Sequence, residues 1–154
     1  MRKPGDIAPD FTLPDLNASR HTLADLIRGD PALLAFFKSS CPTCQFTMPF
    51  LERAFSAGQI SVYGISQDNA GTTVDFLKRY GLTFPTLLDG GIEGYVASNA
   101  YQLTHVPTLY LVEQDGRIAW ASMGFVKAEL EQLNRRFSAR MFQPGDRLPD
   151  RKPG

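Results

Sequence analysis

Ala32-Leu33-Leu34-Ala35-Phe36-Phe37, followed by Lys38-Ser39-Ser40-Cys41-Pro42-Thr43-Cys44-Gln45-Phe46, is the stretch on which the fold turns. The apolar hexapeptide has no alternation, so it reads as a buried central strand, not a half-exposed one. Lys38-Ser39-Ser40 breaks out of it as a loop. Pro42 then suits the first position of a helix, where its missing N–H costs nothing. Phe46, Phe50, Ala54 and Phe55 give that helix an apolar face as far as about residue 57.

Cys41 and Cys44 are the only cysteines in the chain. Residues i and i+3 share a helix face, which brings their Cα atoms within the ~4.4–6.8 Å that a disulfide spans. Cys41 falls at or next to the N-cap, where unpaired N–H groups and the positive end of the helix dipole favour a thiolate. Cys41 is therefore the expected nucleophile, attacking a partner's disulfide, and Cys44, one turn deeper, the resolving thiol. The competing reading is a purely structural disulfide. So small a loop removes little entropy from the unfolded chain, so that reading explains less.

Other uses of the pair fit worse. A structural zinc site wants four ligands, and the chain adds only His21 and His105, far apart in sequence. Covalent haem attachment needs a histidine after the second cysteine, and Gln45 stands there. No metal and no cofactor is expected beyond the redox-active disulfide Cys41–Cys44 itself.

The remaining composition narrows the class. A chain of 154 residues suits one domain with its own core. Lys and Arg balance Asp and Glu at 16 each, with no charged block, which argues against nucleic acid or anionic membrane as partner. No apolar run is long enough to span a bilayer. Met1 to Phe11 is basic but lacks an apolar h-region, so the N-terminus as written is no signal peptide. That predicts a cytoplasmic protein, or an extracytoplasmic one if a leader has been trimmed away. A monomer is expected.

Element patterning alternates strand and helix. Phe11–Leu13 and Arg20–Thr22 flank an Asn17-Ala18-Ser19 turn as a small hairpin, and Ala24–Arg28 reads as a helical turn ended by Gly29. Ile60–Ile65 and Thr86–Leu88 read as strands, and Thr72–Tyr80 as a helix on Val74, Leu77 and Tyr80, stopped by Gly81. Ile92–Asn99 reads as a further helix. Thr108–Val112 and Arg117–Ser122 form a hairpin across Asp115-Gly116. Val126–Phe137 is an amphipathic helix on Val126, Leu130, Leu133 and Phe137. Parallel strands joined by helices, then an antiparallel hairpin edge, predict an α/β mixed sheet covered on both faces. Residues 142–154 are rich in Pro, Gly and charge and read as an extended tail, surface-lying or mobile, beyond a single domain over 1–141. Within it, Pro144-Gly145-Asp146 echoes Pro4-Gly5-Asp6, and Arg151-Lys152-Pro153-Gly154 repeats Arg2-Lys3-Pro4-Gly5.

Taken together these features resemble the thioredoxin superfamily, in its TlpA/ResA-like and AhpC/TSA-type redoxin branch. The resemblance rests on Pro4 to Phe11 as the branch's opening segment, the CxxC after an apolar strand, Pro49 inside the following helix, and Val106-Pro107-Thr108-Leu109 before the hairpin. It implies a thioredoxin-like fold with an N-terminal hairpin extension and a central βα insertion, the latter accommodated between Cys44 and Pro107. It also implies a cis bond at Val106–Pro107, with the Val106 backbone beside Cys41 pairing an extended substrate like an added strand. Phe84-Pro85-Thr86 has the same look, but its strand is shorter and no Gly turn follows.

On this resemblance Cys41 and Cys44 are catalytic, Ser40, Pro42 and Thr43 form the active-site loop, and Val106 and Pro107 bind substrate. Partners would be a disulfide-bearing protein or a small-thiol substrate, together with a reductant of unknown identity. The chain departs from the family at Ser40, often a tryptophan, at Ala35, a buried carboxylate in thioredoxins, and at Thr47, a glutamate in ResA-like proteins. These departures leave Cys44 without an evident proton acceptor. His105 could bear on the thiols, although an exposed loop histidine is the simpler reading. Trp120 and Phe125 read as packing residues and not as a substrate platform. The leading function is thiol-disulfide exchange. A peroxiredoxin-type thiol peroxidase is the first alternative, weakened because Cys41 replaces its usual Thr or Ser and Val106 its arginine. A redox-inert binding module is the second, and the intact dithiol speaks against it.

Overall fold

The computed structural model describes residues 1–154. The chain opens with a small antiparallel hairpin of β1 (Thr12–Pro14) and β2 (Arg20–Thr22). Asp15 shapes its turn, its Oδ1 accepting from the amides of Asn17 and Ser19. Helix α1 (Leu23–Leu26) starts on a capping box in which Thr22 and Asp25 each bond the other's backbone amide. Strand β3 (Ala32–Phe37) leads into α2 (Pro42–Ser56), then β4 (Ser61–Ser66), α3 (Ala70–Tyr80) and β5 (Thr86–Leu88). Helix α4 (Val96–Ala100) precedes the hairpin of β6 (Thr108–Val112) and β7 (Ile118–Met123). The short β8 (Phe125–Val126), α5 (Lys127–Phe137) and β9 (Arg151–Lys152) complete the chain.

The main sheet has the order β5-β4-β3-β6-β7. β3 runs parallel to β4 and antiparallel to β6, so both of its edges are hydrogen-bonded. Every residue of β3 is buried, and successive side chains point to opposite faces. Leu33, Ala35 and Phe37 join the core under α2, α3 and α5, with Met48, Leu51, Phe76, Leu130 and Leu133. Leu34 and Phe36 join a second core with Leu13, Leu26, Tyr101 and Tyr110, built by the N-terminal hairpin, α1 and α4. A thioredoxin-like mixed sheet covered on both faces is thus the observed architecture.

The inserted β5 unit is keyed to the sheet at Gly64. A Cβ there would lie 2.9 Å from a ring carbon of Phe84 and 2.9 Å from Thr86 Oγ1. Glu52 of α2 holds the same loop, its carboxylate accepting from the amides of Thr83 and Phe84 and from the Thr83 hydroxyl. The first fifteen residues also reach both rims of the sheet. Ile7 bridges Arg117 beside β7, and Asp15 bridges Leu87 of β5.

Three expectations need correction. Ile92–Asn99 is not one helix but a single 3-10 turn, Gly91–Glu93, followed by α4. Gly94 (φ 67°) and Tyr95 (φ 61°) both adopt the left-handed conformation between them, which a continuous helix forbids. α3 buries Thr73 and Phe76, with Leu77 and Tyr80 partly covered, so its inner face is turned away from Val74. α1 spans Leu23–Leu26, starting one residue before and ending two residues before the expected Ala24–Arg28.

Residues 142–154 run back over the outside of α2. Phe142 and Leu148 pack against the first core. Arg53 of α2 grips Asp146 at 2.7 and 3.2 Å and also donates to the Met141 carbonyl. This guanidinium hydrogen bond holds the Asp146 carboxyl below the usual carboxylate range. The echo between the two ends of the sequence has a structural meaning. Lys3–Asp6 and Gln143–Asp146 form the same turn, with Gly5 at φ 95° and Gly145 at φ 94°. In each, the aspartate's backbone amide donates to the residue before the proline, and its carboxylate takes that residue's amide in return.

Asp89 is fully buried and accepts from the Ala97 amide, the Ser98 amide and the Ser98 hydroxyl at 2.6–2.8 Å. It thereby caps α4, whose own N-cap residue Tyr95 offers no side-chain bond. Asp89→Ala should lower unfolding free energy by about 2–4 kcal/mol, through three orphaned donors and a lost cap. Urea denaturation of both proteins measures it. A loss within the scatter of a surface substitution, about 0.5 kcal/mol, would remove Asp89 from this role.

Candidate active site

The site is set by where β3 stops. After Phe37 the chain turns through Lys38-Ser39-Ser40, and α2 begins at Pro42 with Cys41 as its N-cap, in extended conformation (φ −87°, ψ 115°). The expected Pro42 position at the start of the helix is the observed one. The two sulfurs are not bonded to each other. The Cys44 amide donates to Cys41 Sγ at 3.1 Å, so an amide of the first turn is spent on this sulfur. Cys41 Sγ–H in turn donates to the Val106 carbonyl at 3.3 Å. The two thiols differ sharply in access. Cys41 is half-buried, while Cys44 is 0% exposed and packed in the core. Burial, then the hydrogen bond with Cys41, push the Cys44 thiol well above the ordinary range.

The other residues expected at the site converge on the dithiol with different exposures. Ser40 and Pro42 are exposed, and Thr43 is buried with its hydroxyl donating to the Pro153 carbonyl at 2.6 Å. Val106–Pro107 is the one cis peptide bond in the chain, and Phe84–Pro85 is trans. Val106 lies against Cys41 through its carbonyl, and its amide has no hydrogen-bond partner. His105 is exposed; its ring bonds only the neighbouring Thr104, through Nδ1 and Oγ1 at 3.0 Å, and its carbonyl accepts from the Thr108 hydroxyl at 2.8 Å. Trp120 donates to Gln132 at 2.9 Å, and Phe125 is fully buried. Both are packing residues. Thr47, three residues after Cys44 on the same face of α2, is fully buried, and its hydroxyl has no partner.

Sequence reasoning missed two components. The first is Asp68, just beyond the end of β4, whose Oδ2 accepts from the Ser39 amide at 2.7 Å. Its carboxylate also disfavours charge on Cys44, after burial and Cys41 have done so. A signal for it exists. β3 and β4 are parallel and in register, with Phe37 opposite Ser66, so a polar residue following β4 must face the loop that follows β3. The second is the segment 151–154, which touches Thr43 and the residues around Val106. Composition alone gave no position for it.

Comparison with known proteins agrees with this geometry. The AhpC/TSA family model matches residues 4–121. The chain is 32% identical to the thiol-disulfide oxidoreductase ResA of Geobacillus thermodenitrificans, over 74% of this chain and 66% of that protein. It is 30% identical to ResA of Geobacillus kaustophilus, over 81% of this chain and 72% of that protein. Among solved structures, a secreted disulfide oxidoreductase of Mycobacterium tuberculosis, homologous to E. coli DsbE, superposes with a TM-score of 0.66 at 25% identity. That match covers 82% of this chain and 95% of that one. The thioredoxin domain of a Bacteroides vulgatus thiol-disulfide oxidoreductase superposes with a TM-score of 0.77 at 20% identity, over 89% of this chain and 99% of that one, and speaks for the fold alone. With the CxxC at the N-terminus of α2 and a cis proline facing it, the chain belongs to the AhpC/TSA family and has the thioredoxin-like fold.

Proposed function

We propose that the protein is a thiol-disulfide oxidoreductase in which Cys41 exchanges with the substrate and Cys44 resolves. The observation that carries this reading is the asymmetry of the pair. One sulfur is reachable and held by an amide of the helix N-terminus, while the other is sealed in the core directly behind it. In the forward direction the Cys41 thiolate attacks one sulfur of a substrate disulfide and forms a mixed disulfide, expelling the other sulfur as a thiolate. The Cys44 thiol then loses its proton, attacks Cys41 Sγ and releases the second substrate thiolate. Two electrons pass to the substrate, and a Cys41–Cys44 disulfide remains for a separate thiol reductant. Read backwards, the same steps oxidise a dithiol. Val106 and Pro107 form the wall against which the substrate's chain lies.

Asp68 fits as acceptor of the Cys44 proton. It is fixed by the Ser39 amide and is the carboxylate whose charge bears on Cys44. Release of the proton is the demanding part of the second step, because burial opposes the Cys44 thiolate. The peroxidase alternative is not favoured. Cys44 stands where the reacting cysteine of a peroxidase would stand, and it is fully buried.

Iodoacetamide at neutral pH should alkylate Cys41 of the reduced protein far faster than Cys44. In Cys41→Ser, Cys44 labelling should rise only at pH above the ordinary thiol value of ~8.5, because burial remains. Peptide mass analysis reads both, and equal rates would remove the assignment of roles. Cys44→Ser should accumulate a mixed disulfide through Cys41.

Asp68→Asn keeps an acceptor for the Ser39 amide but no base. It should slow resolution of that mixed disulfide by about tenfold or more while leaving Cys41 alkylation unchanged. Parallel loss of both rates would mean that Asp68 only shapes the loop. Hydrogen peroxide should be consumed at the slow rate of an unassisted thiolate. Fast consumption that depends on Cys44 would establish the peroxidase reading in place of exchange.

A further inference from the structure

Residues 151–154 lie where an extended substrate would have to lie. β9 pairs with β8 in an antiparallel ladder, Phe125 opposite Lys152 and Val126 opposite Arg151. The Lys127 amide extends it to the Asp150 carbonyl at 2.9 Å. Beyond the ladder, the Pro153 carbonyl accepts from Thr43 inside the CxxC. Gly154 is pressed against the loop that faces Cys41. A Cβ built on it would run into the Val106 carbonyl, the same oxygen that takes the Cys41 thiol. The segment therefore bridges the first turn of α2 and the loop that faces Cys41.

Its neighbours are shaped to admit it. Gly124 is left-handed (φ 74°), and a Cβ there would sit 2.6 Å from the Lys152 carbonyl and 3.2 Å from the Gly154 amide. The Lys152 ammonium lies 5.3 Å from the centre of the Phe46 ring, on the first turns of α2. A cavity of about 340 Å³ opens between the segment and His105, Met123 and Val126. The segment is also held lightly. Its ladder is two residue pairs long, and Arg151, Pro153 and Gly154 are exposed. The firm anchors, Phe142, Leu148 and the Arg53–Asp146 pair, are all upstream. Residues 151–154 can thus leave while 142–150 stay docked, the behaviour of a low-stability local unit.

We propose that residues 151–154 are a specificity-determining strap, an internal occupant of the substrate groove that decides which disulfides reach Cys41. With the strap in place Cys41 stays half-exposed, so a small disulfide reaches it. An extended polypeptide needs the Val106 backbone and the space beside it, and must first displace the strap. A groove occupied by a tethered segment lowers the apparent affinity for its competitor by the fraction of time it is free. The Val106 amide, which the strap leaves unpaired, is free to pair an incoming chain once the strap has left. This inference rests on the exchange reaction proposed above.

The experiment compares the full chain with a variant lacking residues 151–154, using insulin as the polypeptide disulfide and hydroxyethyl disulfide as the small one. Deletion should raise the insulin rate about fivefold or more and move the small-disulfide rate by less than about twofold. Gly154→Leu, whose side chain would collide with the Val106 carbonyl, should shift the ratio the same way without shortening the chain. Equal changes for both substrates, or an insulin rate that stays put or falls, would overturn the strap. Alkylation keeps the two readings separable. The ratio of Cys41 labelling by a polyethylene-glycol maleimide to that by iodoacetamide should rise on deletion. If neither disulfide reacts with the full chain, the exchange reading fails, and this ratio alone then decides whether the strap shields Cys41.

Discussion

A reactive thiol has to be reachable by solvent and yet fixed in place, and β3 is what reconciles the two. Hydrogen-bonded along both edges and covered on both faces, it has no freedom to slide or tilt. Its last residue therefore fixes the start of α2 to within a loop of three residues, Lys38-Ser39-Ser40. The Cys44 amide of the first helical turn then finds Cys41 Sγ because the strand has delivered it there. The same rigid strand positions the facing wall. β6 pairs with β3 from Thr108 opposite Phe36 onward, so Pro107 and Val106 must sit just beyond the point where Cys41 emerges.

The difference between the two cysteines follows from helix geometry more than from any special neighbour. One turn of α2 separates the rim of the molecule from its core. Cys41 stays at the rim, and Cys44 falls among Phe37, Met48 and Leu109. A thiol in that setting resists ionisation, which keeps it unreactive toward outside reagents until a mixed disulfide forms next to it. The proposed acceptor of its proton, Asp68, follows the end of β4 and is held by the Ser39 amide in the loop after β3. Neither Ala35 nor Thr47 carries a carboxylate, and Asp68 reaches the site from the turn that follows the adjacent parallel strand.

Most of the frame could be read from residue patterns, since it is held by strong, local and periodic signals. The apolar run of β3, Pro42, the Asp115-Gly116 turn and the Gly81 stop each announce one backbone state. Pattern and structure part where two states compete over a few residues. Gly91 to Asn99 has helix-compatible residues, but a buried acid outside the segment, Asp89, moves the start of α4 to Val96 by capping it there. The inner face of α3 departs from its apolar periodicity because Thr73 is buried through a hydrogen bond with Ser66, a polar contact that such periodicity cannot reveal. The path of 142–154 depends on distant partners, Arg53, Thr43 and Phe125, none of which its own composition encodes.

The bridges made by the first fifteen residues bear on something other than chemistry. β5 and β7 are the outer strands of the sheet, and an outer strand with free amides and carbonyls is a template for pairing with another copy. Asp15 takes a place on β5 and Ile7 one on Arg117, just before β7, while Gly5, Asp6 and Ala8 add backbone bonds to Gly116 and Ile118. The opening segment thus works as a guard at both rims, blunting the sheet against self-association while the dithiol faces elsewhere. A chain shorn of it would bare both rims at once and lose Ala8, Phe11 and Leu13 from the core beneath β3, so that loosened packing and self-association would come together.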